Sequence, residues 1–160
     1  MLRVMTDAPR WLDEQQQAVW QDLLTVVIAL PTLLDRQLER DARTTNYEYS
    51  VLARLSMAAD YTLRLSDLAA QCDSSQPRLS KVMVRFEQRG WVTRRPDPGN
   101  GRYTLATLTD AGLQKVVDSA PGHVDRVREL VFDPLSPAQQ RDLAVALARI
   151  ARTVRAEVNR

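Results

Sequence analysis

The stretch from residue 75 to residue 102, SQPRLSKVMVRFEQRGWVTRRPDPGNGR, decides the fold. Ser75 is a favoured N-cap residue, and Pro77 is tolerated in a first helical turn because its missing N–H would have no partner there. Beyond it Leu79, Val82, Met83 and Phe86 recur at three- and four-residue intervals and predict a buried stripe, while Gln76, Arg78, Lys81 and Arg85 fall on other faces. The helix should end near Arg89, because Gly90 suits the left-handed residue that closes a helix. Trp91-Val92-Thr93-Arg94-Arg95 is rich in β-formers and predicts a strand. The cluster from Pro96 to Gly101 predicts a turn at Asn100-Gly101, with a return strand from Arg102 to Leu108.

Working outward, Ser66 followed by Asp67 predicts the capped start of a two-turn helix ending at Cys72, and Asp73-Ser74 predicts a turn into the next helix. Two short helices followed by a basic-tipped hairpin make a winged helix-turn-helix. Upstream, residues 11–43 carry Val19, Leu23, Val26, Val27, Leu30, Leu34 and Leu38 near a helical period, with Pro31 expected to kink or divide the helix. Residues 47–59 predict a second helix, with Tyr47, Val51, Leu55 and Ala58 on one face. Downstream, Thr109 caps a helix whose apolar stripe runs from Leu113 to Val131 across an expected break at Pro121-Gly122. Ser136-Pro137-Ala138-Gln139 combines a capping box with Pro at the first helical position and opens a last helix carrying Leu143, Leu147, Ile150 and Val154. These long helices offer more apolar surface than one small domain can cover, so they are expected to pair between two subunits. The fold class is mainly α with a small β-hairpin wing. Residues 1–45 and 110–160 are the expected dimerisation regions, and residues 46–109 the expected DNA-binding region.

Charge supports that division. The 160-residue chain is only +2 overall, but residues 74–104 hold Arg78, Lys81, Arg85, Arg89, Arg94, Arg95 and Arg102 against Glu87 and Asp97, while the remainder is net acidic. A positive field gathered in one segment is what a polyanion-binding surface requires. No leader pattern opens the chain, and the most apolar run, residues 23–34, is interrupted by Pro31. A cytoplasmic location without a membrane is the expectation. One His and one Cys among scattered carboxylates form no catalytic constellation, so neither enzyme activity, metal nor cofactor is expected. Cys72 reads as a buried small hydrophobe, with a thiol sensor as the alternative, and His123 as a packing or capping residue, with effector binding as the alternative.

The chain resembles the multiple antibiotic resistance regulator (MarR) family over nearly its whole length. The residues that carry the resemblance are Leu65-Ser66-Asp67-Leu68-Ala69, Arg78-Leu79-Ser80-Lys81, Arg85 to Val92, Asp97 to Arg102, and Leu108-Thr109-Asp110-Ala111-Gly112. The resemblance implies a two-fold dimeric transcriptional repressor with one recognition helix per subunit in successive major grooves of a palindromic duplex, and a wing in each flanking minor groove. It also implies release by a small aromatic or anionic effector. Two positions depart from the family pattern: Asn100 stands where a carboxylate usually precedes Arg102, and Asp73 where Gly is usual.

The candidate DNA contacts divide by position. Gln76, Arg78 and Lys81 lie early in the recognition helix and are expected at base edges, with Ser75, Ser80 and Arg85 on phosphate and Arg95, Asn100 and Arg102 on the wing. Trp20, Tyr47, Arg54 and Arg64 are candidates for an effector cleft near the first, second and fifth helices. The competing classes are a winged helix used for protein contact and a non-specific architectural DNA binder.

Overall fold

A computed structural model describes residues 9–158 of the chain. The first eight residues of the expected N-terminal region and the last two of the C-terminal one lie outside the described residues. The chain divides into two compact units, residues 1–33 and residues 34–160.

Helix α1 spans Glu14–Ala42. It starts three residues later than its apolar period suggests because Asp13 and Gln16 cap each other's backbone, the Gln16 N–H donating to Asp13 Oδ1 at 2.8 Å and the Asp13 N–H to Gln16 Oε1 at 3.1 Å. Pro31 lies inside the helix without dividing it. In the first unit Trp11, Val19, Val27 and Ile28 stand exposed. By length and composition alone α1 is apolar enough to cross a membrane, which the interrupted run of residues 23–34 does not suggest. The core helix of a globular protein passes the same test.

In the second unit, α2 spans Asn46–Ser56 and opens with a capping box between Thr45 and Glu48. A 3-10 turn, Ala59–Tyr61, leads into strand β1, Thr62–Arg64. Helix α3, Leu65–Gln71, follows directly with Arg64 as N-cap residue, so Ser66 lies within the first turn rather than capping it. Helix α4, Gln76–Gln88, is capped by Ser75, and Asp73 in the preceding turn takes φ 45°. Gly90 closes α4 at φ +70°, with the Trp91 N–H reaching back to the Phe86 carbonyl at 2.9 Å.

Strands β2, Val92–Asp97, and β3, Asn100–Leu108, form an antiparallel pair, and β1 adds to the other edge of β3 to give the order β1-β3-β2. Three strands replace the expected two because β1 is too short to show a period, yet Thr62 pairs with Thr107 and their hydroxyls meet at 2.8 Å. The hairpin turn falls at Pro98-Gly99 rather than Asn100-Gly101, since Asp97 pairs with Asn100 and its Oδ1 accepts the Gly99 N–H at 2.9 Å.

Helix α5, Asp110–Val127, is capped by Thr109 and continues through Pro121-Gly122 unbroken. The irregularity comes later, as a π turn at Arg128–Phe132 before α6, Pro137–Val158. Ser136 and Gln139 cap α6 reciprocally. The core of this unit gathers Leu38, Val51, Leu52, Leu55, Leu68, Leu79, Met83, Phe86, Val92, Ala106 and Leu108. Each large apolar side chain so buried contributes about 1.5–3 kcal/mol. Cys72 packs against this core, and burial pushes its thiol up. The His123 ring packs tilted against Tyr49, with centroids 4.4 Å apart, and burial pushes its imidazole down. In contrast α6 buries none of its residues, leaving Val145, Ile150, Val154 and Val158 exposed.

Candidate nucleic-acid interface

Leu79, Val82, Met83 and Phe86 fasten one face of α4 to the core, which turns Gln76, Arg78, Ser80, Lys81 and Arg85 outward. Ser75 fixes the start of that helix by accepting the Arg78 N–H at 3.4 Å. Arg78 does not extend freely: its guanidinium lies 4.0 Å from the centroid of the Tyr47 ring. Tyr47 is itself held, its hydroxyl donating to Ser74 Oγ at 2.7 Å. A planar cation stacked on an anchored ring loses less freedom on meeting a base edge than a free side chain would.

Arg85 has a different environment. Its Nε and Nη2 donate to Glu48 Oε1 at 3.0 and 2.7 Å, while Glu48 Oε2 accepts the Thr45 N–H and the Thr44 hydroxyl, each at 3.1 Å. Burial pushes the Glu48 carboxyl up, but the bonds from Arg85, Thr45 and Thr44 together bring it below the usual range. Its folded value being depressed, the network stabilises fully above about pH 4.3 and loses that contribution as pH falls through the lower folded value. Glu48→Gln should cost about 1–2 kcal/mol at pH 7, a modest figure because Arg85 is half exposed. Denaturant titrations of both proteins at pH 7 and pH 3 check this, and a difference that persists unchanged at pH 3 would contradict it.

The wing is anchored at its base. Asp97, nearly buried, accepts the Arg64 Nε–H at 2.8 Å, and Arg64 also lies 4.9 Å from the Tyr103 ring. The Gly99 N–H first, and Arg64 after it, hold the Asp97 carboxyl below its usual range. Arg94 pairs with Glu87 at 2.5 Å, whereas Arg95, Asn100 and Arg102 are exposed. Asn100 Oδ1 accepts the Arg102 backbone N–H at 3.2 Å. The asparagine therefore shapes the main chain at Arg102 and leaves the guanidinium free.

The four candidates for an effector cleft have different surroundings. Tyr47 lies beneath Arg78 and Arg64 pairs with Asp97; Arg54 is exposed on α2, and Trp20 is exposed in the first unit. Sequence reasoning missed Glu48 as the partner of Arg85, although Thr45-x-x-Glu48 is a capping-box pattern readable without a structure. Nothing local marked Asp97 as the partner of Arg64, 33 residues away.

A profile described as MarR family matches residues 43–102, which cover α2, the helix-turn-helix and most of the wing. Sco3205, a MarR family transcriptional regulator from Streptomyces coelicolor solved in complex with DNA, is 39% identical, with 92% of each chain covered and a TM-score of 0.87. The chain belongs to the MarR family. AbsC, another MarR family regulator from Streptomyces coelicolor, is 33% identical over 92% of this chain and 99% of its own, also with a TM-score of 0.87. Among curated proteins, the HTH-type transcriptional regulator PecS of Dickeya dadantii is 24% identical over 155 residues, 93% of each chain. The protein is thus a MarR-family transcriptional regulator with a DNA-binding winged helix, and these relatives are regulators rather than enzymes.

Proposed function

We propose that this MarR-family regulator is a cytoplasmic homodimeric repressor that reads a palindromic duplex operator and is released from it by a small ligand. The observation that carries this reading is the outward row of Gln76, Arg78, Ser80 and Lys81 on a core-fastened α4, with Arg78 already placed by Tyr47. Gln76, Arg78 and Lys81 read base edges, Ser75 and Ser80 hold phosphate, and Arg95 and Arg102 follow the backbone into the minor groove. Arg85 is left out of that set, because its guanidinium is occupied by Glu48 and serves to hold α4 on α2. Residues 46–109 form the reading part. The exposed apolar residues within residues 1–45 and 110–160 are covered by a second copy, without a membrane.

Fluorescence anisotropy against duplex DNA from upstream of the protein's own gene tests the reading. Binding should exceed that to a scrambled duplex by about a thousandfold or more. Equal affinity for the two would point to a non-specific architectural protein, and no binding to either would point to a protein-contact role. Arg102→Ala should lower the salt slope by about one per subunit and flatten a preference for A·T-rich flanks, while half-site preference survives. An unchanged slope in the same salt titration would remove Arg102 from the interface. Sedimentation equilibrium at low micromolar concentration should give twice the chain mass, and a folded monomer would exclude the two-fold arrangement.

A further inference from the structure

Helix α4 buries its large apolar side chains except Val84, which is 45% exposed. Its place on the helix is opposite the buried stripe. Val82 and Phe86 stand two residues before and after it, each about 160° away around the axis, and both are fixed in the core. Pro77, also exposed, lies seven residues earlier, which is about 20° short of two full turns. The two side chains therefore stand on one line along the outward pole of α4, about 10 Å apart. Ser80 and Lys81 fall between them, about 40° to one side of Val84 and about 60° to the other, and Gln76 and Arg78 lie further round on the two flanks. A strip of apolar surface thus runs down the middle of the polar row assigned to DNA.

Folding does not explain the strip. Neither side chain joins the core cluster. A β-branched residue on an exposed helix face also has a lower helix propensity than alanine, lysine or glutamate. The apolar faces assigned to a second copy lie in residues 1–45 and 110–160, so that copy leaves Val84 bare. Lys81 and Arg85 stand within one turn of it, and such cations favour a polyanion over an apolar protein surface. In the major groove, the apolar group on a base edge is the thymine 5-methyl. Cytosine presents at the same edge an amino donor, which an alkyl side chain would leave unpaired.

We propose that Pro77 and Val84 determine operator sequence by contacting thymine 5-methyl groups in the major groove, one each per half-site. Their separation corresponds to about three base-pair rises, so the two thymines lie about three base pairs apart. This assignment rests on the proposed reading of α4 as the helix that enters the groove. It adds to the polar contacts there a form of recognition that needs no hydrogen bond.

Fluorescence anisotropy of the full chain on the upstream duplex, made once with thymine and once with uracil throughout, tests the assignment. Uracil keeps every pairing and hydrogen-bonding group of thymine and removes only the methyl. The wild type should bind the uracil duplex about tenfold more weakly or worse, because each lost methyl contact is worth about threefold. Uracil placed at one thymine at a time should reveal two sensitive positions per half-site. Val84→Ser should abolish the response at one of them and Pro77→Ser at the other. Thermal midpoints and salt slopes should stay close to wild type, since both side chains are exposed and uncharged. Equal wild-type affinity for the two duplexes, each still preferred over its scrambled counterpart, overturns the methyl contact and leaves the DNA-binding reading standing. Full uracil sensitivity at both positions in the folded serine variants overturns the assignment to Pro77 and Val84. Absence of binding to the thymine duplex overturns the DNA-binding reading itself, and the methyl contact with it.

Discussion

Replacing Gly112 by alanine is expected to destabilise the protein by about 3 kcal/mol or more, the largest loss among the glycine-to-alanine changes, because its added Cβ meets the closest neighbours. A Cβ at this position would fall far inside van der Waals distance of the Trp91 carbonyl oxygen. It would also lie 2.7 Å from Leu108 Cδ1 and 3.0 Å from the Trp91 carbonyl carbon. Neither neighbour can retreat easily. The Trp91 carbonyl already accepts the Thr109 N–H at 3.0 Å, and Leu108 is buried in the core beside Val92. Thr109 tightens the same corner by accepting the Gly112 N–H at 3.1 Å and donating its hydroxyl to the Gly90 carbonyl at 2.6 Å. The start of α5 is thereby pressed against the β2 entry, and only a residue without a side chain fits. Thermal unfolding should show a fall of roughly 6–12 °C for such a loss in a chain of this size. A fall of under about 2 °C would mean that α5 can slide away from Trp91, and that the close approach is not needed.

Arg78→Ala should cause the largest loss of DNA affinity. A side chain placed at a base edge is worth about 1–3 kcal/mol, and the proposed two-fold dimer would lose it twice. The combined loss is about 2–6 kcal/mol, or at least about thirtyfold in the dissociation constant. The Tyr47 stack adds a second readout. Tyr47→Phe keeps the ring beneath the guanidinium and should cost little, whereas Tyr47→Leu removes it and should reproduce part of the Arg78→Ala loss. Anisotropy measurements on operator and random duplexes separate the possibilities. If Arg78→Ala weakens both duplexes equally, Arg78 touches only phosphate and does not specify sequence.

Much of the winged helix was legible because its signals are local. Ser75, Gly90, Thr109 and the Ser136–Gln139 box each act within a few residues of their own backbone, and each does in the structure what its residue type predicts. The α4 stripe was equally readable, since a 3.6-residue period reports burial without knowledge of the partner. The errors share a cause. Strand β1 has three residues and no period, and exists because β3 offers it a free edge. The turn moved from Asn100-Gly101 to Pro98-Gly99 because the Asp97 carboxylate, held by Arg64, favours a turn directly after it. Both prolines expected to break helices are accommodated within them.

The sequence by itself determined where α4 begins and ends, which face of it is buried and where positive charge collects, whereas α2 stops at Ser56, three residues short of its expected end, and α3 starts one residue before its expected cap at Ser66. The former follow from capping, periodicity and composition, which act over a turn or two of chain. Only the tertiary structure decided what each arginine does: Arg78 stacks on Tyr47, Arg85 is held by Glu48, Arg64 anchors the wing through Asp97, and Arg89 meets Lys115 over Trp91. Arginine looks the same wherever it stands in a sequence. Its role is set by the carboxylates and rings that other elements bring within a few ångströms, and that proximity arises only when the chain has folded.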